Sequence, residues 1–141
     1  MKQKLILVRG LPGSGKTTYA KAIARDTPDS DHIEADWFFC QNWGYEFEPA
    51  KLKYAHDWCR GETSIVLQGG YTAIVSNTFT QMWDMDKYIQ LAVDFGVELE
   101  VVEIKTQFNN IHGVPEEKLQ QMKNRWEELP PDFPYKVTRI V

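Results

Sequence analysis

Eight residues constrain this chain more than any others: Gly10-Leu11-Pro12-Gly13-Ser14-Gly15-Lys16-Thr17. They match the phosphate-binding loop G-x-x-x-x-G-K-T in full. They also lie in the context that loop requires, after a strand and at the opening of a helix. Leu5 to Val8 form an apolar run with charge before it and Gly10 after it, which predicts a buried parallel strand. After Lys16, the residues Tyr19, Ala20, Ile23 and Ala24 recur at helical spacing, and Thr27-Pro28-Asp29 stops the helix near Arg25. The alternative is a glycine-rich turn with no ligand, and motif and context together weigh against it. Glycines let successive backbone N–H groups turn toward one anion and approach it closely. The helix that follows adds its positive end. Gly10, Pro12, Gly13, Ser14, Gly15, Lys16, Thr17 and Thr18 are therefore read as the cradle of a nucleotide's phosphates. Lys16 faces the β- and γ-phosphates, and the Thr17 hydroxyl is placed to ligate Mg2+.

The rest of the chain alternates in the same way. His32 to Ala35 reads as a second strand, and Pro49 opens a helix with Leu52, Ala55, Trp58, Cys59 and Val66 on one face, weakened at Gly61 and closed by Gly69-Gly70. Thr72 to Ser76 is a third strand. A helix with Met85, Tyr88, Leu91, Ala92 and Phe95 inward ends at Gly96. Val97 to Ile104 is a fourth strand, Pro115 starts a last helix with Leu119, Met122 and Trp126 inward, and Val137 to Val141 is an edge strand. Such alternation predicts an α/β, three-layer sandwich: a central parallel sheet of four to five strands with helices on both faces. With 141 residues, one domain over 1–141, carrying the phosphate loop, is expected.

Composition excludes several other classes. Apolar residues make up 43% and aromatic residues 13%, too many for a disordered chain. Two cysteines, Cys40 and Cys59, form neither a disulfide framework nor a metal-ligand spacing, which fits a reducing, cytoplasmic setting. The apolar run after Lys4 stops at Arg9 without a cleavage signal, and no run is long enough for a membrane span. A net charge of −4 argues against counterion-release binding to long nucleic acid, though not against gripping a short end or one nucleotide.

In a parallel sheet, ligands bind beyond the carboxyl ends of the strands. Four places there carry candidates. Asp36 ends the second strand, where a carboxylate can take the proton of an acceptor hydroxyl or serve magnesium; the bland reading is a helix cap. Glu34, two residues earlier, is a second acidic candidate. Ser76, Asn77 and Thr78 follow the third strand, where many phosphate-loop proteins carry a magnesium-binding aspartate, and are read as acceptor contacts or as helix caps, with Thr80 a further cap. His56, on the long helix, is either an acceptor contact or structural. Trp37, Phe38, Phe39, Trp43, Tyr45 and Phe47 either stack on a base or pack a loop over the sheet. The segment Asn109-Asn110-Ile111-His112-Gly113 stands at the lid position without an arginine, and Arg125 on the last helix is the nearest one.

Taken together, the loop, Asp36, Ala55-His56-Asp57-Trp58-Cys59, Ser76-Asn77-Thr78-Phe79-Thr80, Asn110-Ile111-His112-Gly113-Val114-Pro115 and Met122-Lys123-Asn124-Arg125-Trp126-Glu127 resemble the AAA_33-type ATP-binding proteins. More distantly they are similar to the kinase domains of bacteriophage polynucleotide kinases. The resemblance covers about Leu5 to Glu128. It implies a compact P-loop kinase fold, ATP binding, and Asp36 as general base toward a 5′-hydroxyl. Two features depart from that pattern. Phe39 stands where the polynucleotide kinases have an arginine, and Gln107-Phe108-Asn109-Asn110 offers no lid arginine. The expected function is transfer of the ATP γ-phosphate to a hydroxyl acceptor, with a nucleic-acid 5′ end or a nucleotide foremost. A small hydroxyl metabolite as acceptor, or a non-catalytic ATP-binding module, are the alternatives.

Overall fold

β1 (Lys4–Gly10) is the strand about which the sheet is arranged. β3 (Thr72–Asn77) pairs with it on one side and β4 (Glu98–Ile104) on the other. β2 (Ser30–Ile33) lies outside β3 and β5 (Lys136–Ile140) outside β4. Every pairing is parallel, in the order β2-β3-β1-β4-β5. The computed structural model describes residues 2–40, 47–106 and 115–141.

Both faces of β1 are buried, which is why its sequence reads as an unbroken apolar run rather than an alternating one. Leu5 and Leu7 point into a core shared with Ala55, Cys59 and Leu67 of α2 (Leu52–Gln68) and Met85, Tyr88 and Ala92 of α3 (Met82–Phe95). Ile6 and Val8 point the other way, against Ala20, Ile23 and Ala24 of α1 (Lys16–Asp26). Those are the three layers. α4 (Glu116–Arg125) precedes the edge strand.

Several boundaries differ from the sequence expectation. β2 ends at Ile33 rather than Ala35, because the Asn77 side-chain oxygen takes the Ala35 N–H at 2.9 Å and ends the ladder. Ala35–Cys40 then forms a 3-10 turn that carries Asp36. Leu52 is exposed, since a 3-10 turn over Pro49–Lys51 rotates the first residue of α2 away from the core; Phe95 is likewise largely exposed at the end of α3. Gly61 does not interrupt α2, which runs through it. The cap of α3 is Gln81, in a reciprocal box with Asp84, not Ser76 to Thr78 or Thr80.

Candidate active site at the strand ends

The sheet order reverses at β1: β2 and β3 lie to one side, β4 and β5 to the other. That reversal opens a crevice at the carboxyl end of β1, and the glycine loop fills its floor. Gly13 and Gly15 have φ of 84° and 90°, a left-handed conformation open to glycine without strain. At Gly10 a Cβ would come within 2.5 Å of Ser14 Oγ and 3.2 Å of the Ile104 carbonyl, so the loop closes on a position only glycine fits. Ser14 N–H donates to Leu11 O at 3.1 Å.

Three observations fit this loop to a phosphate anion. Ser14 Oγ is buried with no hydrogen-bond partner among the described residues. Gly15 caps α1 with no side-chain bond, and the first turn of α1 carries no acidic residue. Burial pushes the Lys16 ammonium below its ordinary pKa, and Glu34 and Asp36 offset that only in part. An anion seated on the loop would satisfy all three.

Glu34 stands beside the loop. Its Oε2 accepts from Ser76 Oγ at 2.7 Å and lies 3.0 Å from His32 Nε2. Hydrogen bonds from His32, Ser76 and Thr17 hold this carboxyl below the usual range although burial opposes them. Asp36, two residues on, is exposed and close enough to Lys16 to favour its charged form. The structure therefore gathers Lys16, Thr17, Glu34, Asp36 and Ser76 at the ends of β1, β2 and β3. Asn77 reaches Ala35 and Cys59 instead, with Nδ2 at 3.7 Å from Cys59 Sγ. Thr78 is half-buried, and Thr18 is exposed on α1.

Other candidates sit apart. His56 is half-buried on α2 with its pKa lowered by burial, and its charged neighbours are Asp84, Arg60 and Asp57 on α2 and α3. Arg125 is exposed at the last position of α4. Phe38 and Phe39 pack against each other, with Phe38 also 6.2 Å from Trp58, and Phe39 is buried in the main core. Phe47 stacks edge-on at 5.0 Å to Phe39, and Trp37 at 4.8 Å to His32. Among the described residues, these four aromatics therefore make ring contacts within the chain. Trp43, Tyr45, the lid segment from Gln107 to Gly113, and Val114 lie outside the described residues. No group of three or more His, Cys, Asp or Glu gathers into a metal cluster among the described residues. A phosphate-loop magnesium does not require one, because it draws on a hydroxyl, phosphate oxygens and water.

A cleft of about 210 Å³ beside the loop, lined by Leu11, Ile104, Lys105, Lys123 and Trp126, escaped the sequence reading.

A parallel 2-3-1-4-5 sheet with a phosphate loop after its first strand and a carboxylate beyond its second defines a P-loop protein with a kinase-like fold. Residues 5–113 match the AAA domain family AAA_33, and the chain belongs to that family. It is 30% identical over 135 residues to human NEDD4-binding protein 2, covering 89% of this chain but only 8% of that protein's length. The solved structure of a sugar kinase from Janibacter shares the fold, with a TM-score of 0.67 at 18% identity over 99% of this chain and 85% of that one. So does a chain of the Pnkp1/Rnl/Hen1 complex, with a TM-score of 0.63 at 16% identity over 94% of this chain and 43% of that one. No helix among the described residues is long and apolar enough to cross a membrane.

Proposed function

We propose that the protein is an ATP- and magnesium-dependent kinase that phosphorylates a hydroxyl group on a nucleic-acid end or a nucleotide. The observation that carries this is a phosphate loop with Lys16 at its end and Asp36 exposed just beyond the second strand, near enough to favour the charge on Lys16. A hydroxyl is a weak nucleophile and sheds its proton as its bond to phosphorus forms. Asp36 accepts that proton while the bond between the γ-phosphorus and the bridging oxygen breaks and ADP departs. Lys16 and the loop N–H groups bear the charge on the phosphoryl oxygens, and Thr17 would hold Mg2+, which neutralises the same charge. The cleft beside Leu11 is the place for the base, with the indole of Trp126 as one of its walls.

A second reading keeps the chemistry and changes the acceptor to a small hydroxyl metabolite. Phe39 supports it: this side chain is 5% exposed and packed in the core, so it offers an acceptor phosphate nothing to bind.

Asp36→Asn keeps the size and removes the base. Turnover should fall roughly 10²–10⁴-fold with nucleotide affinity little changed. The assay is transfer of label from γ-labelled ATP to DNA or RNA 5′-hydroxyl ends, nucleosides and sugars, each offered separately. Label on ends or nucleosides supports the first acceptor class, and label on sugars alone the second. A wild type that binds ATP and labels nothing, with D36N indistinguishable from it, would leave a nucleotide-binding module.

A further inference from the structure

The place where phosphate-loop proteins commonly carry an acidic residue for magnesium, the end of the third strand, holds Ser76 here. Ser76 is 1% exposed and donates its hydroxyl hydrogen to Glu34 Oε2 at 2.7 Å. His32 Nε2 is 3.0 Å from the same oxygen and 3.1 Å from Ser76 Oγ, closing a triangle. Asn77 fixes the next peptide by taking the Ala35 N–H. The carboxylate is thus gripped from the very strand that would otherwise supply the acid. On the loop side Thr17 hydrogen-bonds to it, and its charge favours that of Lys16.

Resting on the ATP–magnesium reading, we infer that Glu34 is the carboxylate that positions the metal's water shell at Thr17, its role transferred from the end of β3 to the end of β2, with Ser76 and His32 orienting it. Mg2+ dehydrates reluctantly and keeps several waters, which need fixed acceptors around them. A carboxylate anchored through Oε2 supplies one. A serine at 76, unlike an aspartate, leaves room for Glu34 and adds no second negative charge beside it. Asp36, exposed two residues further on, keeps the separate role of base that the proposed function gives it.

The test separates this role from catalysis, because it needs no acceptor. Affinity for a non-hydrolysable ATP analogue is measured by calorimetry in EDTA and in excess magnesium. Glu34→Gln should bind the analogue in EDTA about as well as the wild type and lose about 10- to 100-fold of the gain that magnesium confers. Ser76→Ala, which removes only the orienting hydroxyl, should lose part of that gain. The double variant E34Q/S76D, which returns the acid to β3, should recover part of it. An E34Q protein with the full magnesium gain overturns the assignment and leaves the ATP reading intact. So does one that is weakened equally in EDTA and in magnesium, since Glu34 would then merely support the loop. A wild type whose affinity is indifferent to magnesium instead removes the metal reading itself.

Discussion

Arg9 offers the sharpest test of how this site is held together. It directly precedes Gly10, its side chain is fully buried, and its guanidinium pairs with the equally buried Glu103 at 2.9 Å. It also donates to three carbonyls: Nε to Phe79 at 2.9 Å, and Nη2 to Thr80 at 3.2 Å and Glu127 at 2.9 Å. The guanidinium lies over the Trp126 ring at 3.8 Å. One side chain thus ties β1 and β4 to the segment after β3 and to the chain beyond α4. It also holds Phe79, a non-glycine residue at φ 45°, in a conformation it would not choose alone. Burial lowers the arginine's pKa, and Glu103 opposes that, so the pair is costly to bury and more costly to break.

Arg9→Met keeps the length and deletes the charge and every donor. Breaking a buried pair typically costs about 3–5 kcal/mol. Arg139, with Nε 3.1 Å from Glu103 Oε2, remains as a half-exposed partner and holds the loss near the lower end. For a domain of this size about 3 kcal/mol corresponds to roughly 6–12 °C in Tm. The double variant R9M/E103M removes the stranded carboxylate and should be more stable than R9M alone, yet remain below wild type because three carbonyls still lack a donor. Urea unfolding with a common slope measures both. A loss below about 1 kcal/mol for R9M, or a double variant less stable than R9M, would refute the argument.

Four further outcomes follow from the same geometry. Lys16→Ala should weaken nucleotide binding at least tenfold, about 1.4 kcal/mol, by calorimetry, while the unliganded protein melts no lower, because burying this ammonium is unfavourable by itself. In the wild type, the depressed Lys16 pKa means the unliganded ammonium loses its proton below its ordinary pKa of 10.5. Bound phosphates favour the charged form, so affinity should be full below the unliganded pKa and fall as pH rises through it, with proton uptake on binding in that window; a flat alkaline profile counts against Lys16 as the phosphate cation. Arg125→Ala should slow turnover more than it weakens ATP binding, since an arginine reaching the transferring group acts in the transition state, and full retained turnover assigns it to the surface. Gly61→Ala should raise stability by about 0.5–1 kcal/mol in urea unfolding, because it sits inside α2 with nothing within 4 Å of an added Cβ.

The sequence carried the strand–loop–helix opening because both of its signals are local: an apolar run buried on two faces, and glycines at positions that need positive φ. The helix caps were less legible. Ser76, Asn77 and Thr80 all have good capping side chains, yet Gln81 caps α3 because only it has Asp84 three residues on with reciprocal geometry. Arg9 is the least legible residue of the site's surroundings. In sequence it ends an apolar run and looks like a boundary charge. It is buried because its partner Glu103 stands 94 positions away, inside another apolar strand, and no local pattern reports such a pair.

The same limit explains the two carboxylates of the site. His32 and Glu34, two positions apart in an extended segment, are expected to share a face, and that much was readable. What separates Glu34 from Asp36 is a contact from β3: once Asn77 captures the Ala35 N–H, the ladder stops and the chain turns into a 3-10 segment between them. Glu34 stays against the sheet, bound by Ser76, while Asp36 is exposed at the surface. A strand continuing to Ala35 would have put both acids on one face, competing for Lys16 and raising each other's pKa. Ending it two residues early gives each carboxylate its own environment, one buried and anchored, the other exposed. The different settings of the two carboxylates, on which the proposed roles of Glu34 and Asp36 rest, thus trace to one side-chain-to-backbone hydrogen bond between neighbouring strands.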